Sequence, residues 1–420
     1  MTQPRITVDR AKDVERYLAT DHVAWFSEIP SAPAEVQLLG VPEDQRFAAD
    51  SPDGASDTYA GIYGVYPLTL CVPGGTEARR VPCAGLTWVG VHPDQRRRGV
   101  LTAMMRDHFE RVRETDGTHV SALHASEPAI YGRFGYGLAS LELEVTLGRG
   151  TTLRAPYLDD AAASLTTHLV AITGSDVPKR MRESHLAAAE TGAVIGSVGY
   201  YERICYQLPE ELRGKENWRM LFARRDGEDA GWAMFQRSHK WDNGRPGGEL
   251  QVWAVVGDPA ARLALLRRLV DFDLMGTAKI GTVAQDDPLL HWVGGPRATA
   301  DVKTYDSLWV RLVDLPEALQ ARAWSAPCDV VVDVADEHAP WNQGRWRIHA
   351  GPDGSAEVTR TDTPADLRVQ VEALGGAYVG GGNLLTLQRA GLVEEARPGA
   401  ATELWRALRT DVPPTAAVGF

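Results

Sequence analysis

Leu86-Thr87-Trp88-Val89-Gly90-Val91-His92-Pro93-Asp94-Gln95-Arg96-Arg97-Arg98-Gly99-Val100-Leu101-Thr102 changes physical character twice. Up to Val91 the run is apolar and rich in β-branched and aromatic residues, which predicts a buried strand. Pro93 stops it, because proline has no N–H to give to a ladder, and Gly99 lets the chain turn tightly into a helix. From Val100 onward, Leu101, Met105, His108 and Val112 fall on one face at helical spacing, with Arg106, Asp107, Glu110 and Arg111 on the other. A strand, a glycine turn and a helix in this order aim several backbone N–H groups outward at a helix N-terminus, where the macrodipole favours an anion. Arg96, Arg97 and Arg98 add positive charge. A diphosphate suits such a cradle, because its oxygens accept several hydrogen bonds at once and concentrate negative charge in a small volume. Taken without its flanks, Arg96 to Gly99 reads equally well as a solvated basic turn; the preceding strand, the proline stop and the helix favour the phosphate reading.

Upstream, residues 58–66 and 68–72 read as short strands separated by Pro67 and followed by the turn Pro73-Gly74-Gly75, an antiparallel meander. Downstream come a strand at 120–123, the segment Tyr131-Gly132-Arg133-Phe134-Gly135-Tyr136-Gly137, and an alternating strand at 141–147. Near residue 150 the pattern restarts: 250–257 is a buried strand that leads through Asp258-Pro259 into an amphipathic helix ending at 270. Ala260-Ala261-Arg262-Leu263 stands where the first copy has Arg96-Arg97-Arg98-Gly99, with no glycine to let a backbone approach phosphate, so this repeat is expected to keep the fold and lack the ligand. From residue 301 a separate α+β unit is expected, with strands at 330–334, 346–349, 356–359 and 367–371, glycines at 375–376 and 380–382 interrupting the next segment, and a late helix at 402–409. The chain closes on an apolar tail braced by Pro413 and Pro414 and ending at Phe420.

A chain of 420 residues implies roughly two to four domains. Hydrophobic residues at 44% and charged residues at 24% predict folded structure throughout. The net charge of -12 argues against nucleic acid as partner and suits a cationic one. Cys71, Cys83, Cys205 and Cys328 show no metal-ligand spacing with each other or with the histidines, so no metal and a reduced compartment are expected. The first ten residues carry charge without an apolar core, and no stretch approaches the roughly 18 apolar residues of a membrane span, so a cytoplasmic protein without membrane attachment is expected.

Arg96-Arg97-Arg98-Gly99-Val100-Leu101 resembles the cofactor motif of the GNAT superfamily of N-acetyltransferases, Arg/Gln-x-x-Gly-x-Gly/Ala, departing from it at Leu101. Together with residues 89–93 before it and Leu123-His124-Ala125-Ser126-Glu127-Pro128-Ala129-Ile130-Tyr131-Gly132 after it, the sequence resembles the Eis (enhanced intracellular survival) family, which tolerates leucine there. The resemblance implies an α+β fold of two tandem GNAT-type domains, mixed and mostly antiparallel sheets with flanking helices, followed by a sterol-carrier-protein-like α+β domain. Set on the sequence pattern, these are residues 1–150, a degenerate second copy at 151–300, and 301–420. It also implies acetyl-coenzyme A as cofactor, contacted by the backbone of Val89, Gly90 and Val91, by a cradle of Arg97, Arg98, Gly99, Val100, Leu101 and Thr102, and by Ser126 and Glu127.

Direct acetylation of an amine needs two proton movements: an ammonium must lose a proton and the departing sulfur should gain one. By itself Tyr131 reads as a packing residue in a glycine-flanked turn; the resemblance makes it the general acid, and Tyr136 does not match that role. By itself Phe420 is a frayed terminus; the resemblance puts its carboxylate in the active site as general base, where burial would make it a better proton acceptor. His124 is left out, since a histidine at a strand end is more often structural. The family acts on amines of polycationic small molecules such as aminoglycosides and on lysine side chains, and its members are usually homohexamers, which makes a homo-oligomer the expectation. The segment from Val14 to Pro30, with Asp21, Trp25, Phe26 and Glu28, is where a substrate wall would lie; Asp21 and Glu28 would bind ammonium groups, or simply form a solvated face. The competing function is a carrier or regulatory protein with a retired GNAT module, against which stands the presence of both Gly99 and Tyr131.

Overall fold

The computed structural model describes residues 6–27, 32–50, 57–208, 212 and 215–420. They form two compact units: the chain up to Ala139 with Leu308–Thr410 and Phe420, and Ser140–Ser307 with Asp411–Gly419.

In the first unit, strands β1 (Val8–Arg10), β2 (Arg46–Ala49), β3 (Gly61–Val72), β4 (Arg79–Val91) and β5 (Val120–His124) are neighbours in that order, and Leu308–Leu312 and then Gly137–Leu138 extend the sheet beyond β5. The pairs β1–β2, β2–β3 and β3–β4 are antiparallel, as a meander requires. β4 and β5 are parallel, because the helix Val100–Glu114 provides the crossover between them. The strand expected to break at Pro67 is continuous, with Pro67 paired to Ala84. β2 pairs with β3 only at residues 61–64, so the missing N–H of Pro67 costs no bond to β2.

The helix buries Val100, Met104, Met105, His108, Phe109 and Val112; Met105, His108 and Val112 are on the expected face. Leu101 is half-buried, and close helix-to-sheet approach is provided from the sheet side: a Cβ on Gly61 would lie 2.8 Å from Val100 Cγ1 and 3.0 Å from Met104 Sδ. Beneath it, His108 Nε2 lies 2.8 Å from Ser121 Oγ, Ser121 donates to the Ala84 carbonyl at 2.9 Å, and the Tyr136 hydroxyl lies 2.8 Å from the same Ser121 oxygen. Burial pushes His108 down to about 3, so it is neutral, and this polar group is satisfied internally rather than exposed for catalysis.

Later in the same unit a five-stranded sheet runs in the order Ala356–Arg360, Gly344–Ala350, Cys328–Ala335, Leu367–Gln370, Val393–Glu395. The glycines at 375–376 do not interrupt structure here; they lie in the helix Val371–Ala377. A Cβ on Gly375 would stand 2.3 Å from the Val310 carbonyl oxygen, so the missing side chain is what lets this helix backbone press onto the strand Leu308–Leu312.

The second unit is a sheet ordered Asp301–Asp306, Leu141–Gly148, Met275–Ala284, Gly248–Gly257, Glu228–Ser238, Arg219–Arg225, Thr166–Ala171. Gly248–Gly257 and Met275–Ala284 are parallel and joined by the helix Pro259–Val270, so the strand-to-helix repeat read from the sequence is present in three dimensions and is completed by a second parallel strand. Strand Leu141–Gly148 hydrogen-bonds within this sheet, and Leu308–Leu312 within the first. Alternation in the sequence shows that a strand has one buried face and not which sheet it joins.

Candidate active site

β4 and β5 pair only through Cys83–Val120, Ala84–Ser121 and Gly85–Ala122. β4 then runs on to Val91 and β5 to His124, so the two strands fork beyond Gly85. The β3–β4 register shifts between Ile62–Gly90 and Gly64–Thr87, and Trp88 adopts φ 55, a bulge that turns the outer part of β4. Val89, Gly90 and Val91 thus carry main-chain donors and acceptors along one arm of the fork, where an extended amide-bearing chain such as pantetheine could add like a strand. On the opposite side, helix Val14–Trp25 presses on the same arm: a Cβ on Gly90 would lie 2.9 Å from Ala24 Cβ.

Beyond Val91 a single 3-10 turn, Pro93–Gln95, leads to Gly99, which caps the Val100 helix at φ 85, ψ 4 with no side-chain cap. The first bond of the helix is Ala103 N–H to the Gly99 carbonyl, 2.9 Å, so the N–H groups of Val100, Leu101 and Thr102 have no acceptor within it. Arg96, Arg97 and Arg98 are exposed beside them, and Arg98 donates to Gln95 at 3.2 Å. A Cβ on Gly99 would meet nothing within 4 Å, so the loop faces open space. Unsatisfied N–H groups, three guanidinium groups and room to approach are the donor set a diphosphate needs. Ser126 and Glu127 are exposed in the turn after β5, with Glu127 at the N-cap of the short helix Pro128–Tyr131.

Tyr131 ends that helix rather than lying in an open turn. It is half-buried, with its ring 6.0 Å from that of Tyr136, and burial together with the nearby Glu127 carboxylate pushes its hydroxyl up to about 12. It is therefore protonated throughout the neutral range. Tyr136 is fully buried and bonded to Ser121, which leaves Tyr131 as the more accessible of the two hydroxyls.

Phe420 packs at the crotch of the fork. A Cβ on Gly85, the last paired residue of β4, would lie 3.2 Å from the Phe420 ring; Tyr66, opposite Gly85 on β3, stands edge-on to it at 6.4 Å, and His124 edge-on at 4.9 Å. The Phe420 N–H donates to His124 Nδ1 at 3.4 Å, so that nitrogen carries a lone pair and, in the neutral ring, the proton is on Nε2. Sequence reasoning set His124 aside; the only signal for it is a contact across 296 residues of chain.

On helix Val14–Trp25, Tyr17 is buried and Asp21 half-buried one turn on, on the face from which Ala24 meets Gly90. Burial pushes Asp21 up to about 7. Asp21 is thus not on a solvated face; Trp25 and Phe26 are exposed, and Glu28 and Pro30 lie outside the described residues.

The second unit repeats this geometry without its chemistry. The Asp258 carboxylate accepts from the Ala261 N–H at 2.9 Å and from Arg225 at 2.8 Å, so a side chain of the protein already takes the place at this helix end that a phosphate would occupy. Among the described residues no group of three or more His, Cys, Asp or Glu is placed to hold a metal.

Acetyltransferase (GNAT) domain models match residues 47–139 and 192–322, and a sterol carrier protein domain model matches 315–417. An uncharacterized N-acetyltransferase of Streptomyces avermitilis is 38% identical over 87% of each chain. N-acetyltransferase Eis of Mycobacterium tuberculosis is 31% identical over 90% of each chain. The chain belongs to the Eis family of N-acetyltransferases. Eis1 from Mycobacterium abscessus superposes with a TM-score of 0.80 over 99% of each chain at 29% identity. A GCN5-related N-acetyltransferase from Anabaena variabilis shares the fold at 15% identity, with a TM-score of 0.78 over 97% of this chain and 98% of that one. As an Eis-type enzyme the protein is an acetyl-coenzyme A dependent N-acetyltransferase with two GNAT domains and a sterol-carrier-like C-terminal domain.

Proposed function

We propose that this Eis-family enzyme acetylates amines of polycationic small molecules such as aminoglycosides by direct transfer, with Tyr131 as general acid and the Phe420 carboxylate as general base. The observation that carries the reading is the packing of the chain's last residue against Gly85, Tyr66 and His124, at the point where β4 and β5 part. Val89, Gly90 and Val91 would bind the pantetheine, residues 97–102 the diphosphate, and Ser126 and Glu127 would flank it. Acetyl-coenzyme A, when bound there, supplies the acetyl thioester whose C–S bond breaks as the C–N bond to the acceptor forms.

The Phe420 carboxylate takes the proton that the acceptor's ammonium must lose before its lone pair can attack. Tyr131 gives its hydroxyl proton to the departing sulfur, and the second proton that the nitrogen sheds as the amide forms passes through water to restore the Tyr131 hydroxyl. The burial that holds Tyr131 near 12 keeps the donor charged with its proton, and the same desolvation raises the proton affinity of a sulfur leaving beside it. Asp21, on the face of its helix turned toward β4, binds the acceptor's positive charge, and the net charge of -12 draws polycations to the surface.

The same reading carries cytoplasmic location and a homo-oligomer, a homohexamer in the family's usual form. Among the described residues no helix is long and apolar enough to cross a membrane. Incubation with acetyl-coenzyme A and a panel of aminoglycosides, followed by thiol release, tests the acceptor class; turnover is expected on several members, and none on any amine overturns it. Light scattering tests the assembly.

A further inference from the structure

The second unit holds a cavity of about 260 Å³ whose described lining belongs to that unit alone. Three segments distant in sequence bring exposed carboxylates to it: Glu190 after the helix Val177–Ala187, Asp286 after the strand Met275–Ala284, and Asp411 on the tail. The tail is fixed there by the Thr415 N–H, which donates to the Thr191 carbonyl at 3.1 Å, and by the Ala416 carbonyl, which accepts from the Val194 N–H at 3.3 Å. Arg262 is the single lysine or arginine among the described lining residues, and it is already paired, donating to the buried Asp287 carboxylate at 2.5 Å. Asp286 lies 3.5 Å from the exposed His291, and Glu190 and Asp411 have no ion-pair partner among the described residues. Val255, Pro259 and Pro413 give the walls an apolar character. His185 lines the same cavity and is 1% exposed. Its Nδ1 lies 2.8 Å from the Tyr201 hydroxyl, whereas its Nε2 is buried with no hydrogen-bond partner among the described residues. Burial pushes the ring down to about 4, so it is neutral at neutral pH. A buried ring nitrogen left unpaired costs stability, which a ligand bonded to it would restore.

We propose that this cavity binds a short aliphatic diamine, one protonated nitrogen resting among Glu190, Asp286 and Asp411 and the other nitrogen donating to His185 Nε2. Carboxylates, apolar walls and a neutral ring nitrogen together suit an organic cation with an alkyl body. An anionic ligand would meet like charge with no free guanidinium to hold it. A divalent metal ion needs several ligands converging on one point, and among the described residues no group of three or more His, Cys, Asp or Glu is so placed. A ligand N–H on Nε2 requires the ring proton on Nδ1, which then donates to the Tyr201 oxygen, so both bonds are made in one tautomer. The degenerate unit thus carries a cation site while its helix end, filled by Asp258, has no place for a phosphate. The site would hold its ligand whatever amine the first unit acetylates.

Titration calorimetry with putrescine on the full-length protein, without acetyl-coenzyme A, tests this. Asp21→Asn removes the acidic group assigned to the acceptor site of the first unit, and in that background uptake of one equivalent is expected to remain. Adding Glu190→Gln and Asp411→Asn is expected to raise the Kd about tenfold, the effect of losing two exposed carboxylates, with a native unfolding midpoint. n-Butylamine keeps one charge and lacks the second nitrogen, so it is expected to bind about tenfold more weakly than putrescine because Nε2 stays unpaired. His185→Phe is expected to narrow that difference; if this variant does not fold, the comparison of the two amines on the native ring decides. No uptake by Asp21→Asn would assign the diamine to the acceptor site and overturn the proposal, and so would an unchanged Kd after loss of Glu190 and Asp411. Equal Kd values for the two amines would overturn the contact with His185. Diamine uptake that survives in Asp21→Asn, beside a lack of turnover on every amine, would strike the acceptor reading alone.

Discussion

Gly99→Ala isolates the contribution of the phosphate loop. Gly99 holds φ 85, ψ 4, and a Cβ there meets nothing within 4 Å, so an alanine suffers backbone strain but no clash. Forcing an L-residue into the left-handed region costs roughly 1–2 kcal/mol, which lowers the unfolding midpoint modestly. The protein contains its own control: Gly399 caps the helix Ala400–Leu408 at φ 90, ψ -8 with the same open surroundings, and it is far from the fork in sequence and role. Gly399→Ala should therefore lose the same stability. What differs is the space each methyl enters. Gly99 immediately precedes the N–H groups of Val100, Leu101 and Thr102, where a phosphate oxygen would sit. Losing one charge-assisted hydrogen bond costs about 1.5–3 kcal/mol, so the Kd for coenzyme A should rise about tenfold to a hundredfold. Titration calorimetry on both variants, with thermal unfolding of the same samples, measures the two effects separately. Equal affinities for Gly99→Ala and Gly399→Ala would refute the cradle.

Tyr131→Phe should lower kcat about a hundredfold or more with native coenzyme A affinity, measured by steady-state kinetics beside calorimetry; native turnover removes Tyr131 from the chemistry. One glycine added after Phe420 should lower kcat by displacing the carboxylate while the first-unit fold stays native, and unchanged kcat in that variant removes the terminus. Asp21 titrates in the folded chain at about 7 against an ordinary 3.8 because burial disfavours its anion. The folded state thus holds the extra proton between those values, and stability is lost as pH rises through that window; Asp21→Asn should abolish that part of the slope in denaturant titrations from pH 4 to pH 8. In native protein the KM for a cationic acceptor should fall as pH rises through about 7 and Asp21 ionises, and a flat KM across that range would take Asp21 out of the acceptor site.

The strand, the glycine turn and the helix after it were legible in the sequence because each of their signals is local: an apolar run, a proline that cannot serve a ladder, a glycine that can turn left-handed, and a 3.6-residue period after it. The repeat at 250–270 was legible for the same reason, including the absence of glycine from Ala260-Ala261-Arg262-Leu263. Pro67 and Gly375 misled because their local preferences were overruled, one by a strand that β2 does not follow past Gly64 and the other by a helix that needed a bare surface against Val310.

What the residues alone determined, then, is the set of backbone conformations and the donors that one turn of chain can offer, since both follow from dihedral preferences within a few neighbours. Only the tertiary structure decided where the parallel ladder between β4 and β5 ends, that Asp21 is half-buried, that His124 meets Phe420, and that Tyr200 holds the Gly419 carbonyl. Those contacts join residues as far as 296 positions apart, and each exists because the whole chain has already met the entropy cost of closing the loop between them. No window of sequence around Phe420 contains the residues against which it rests.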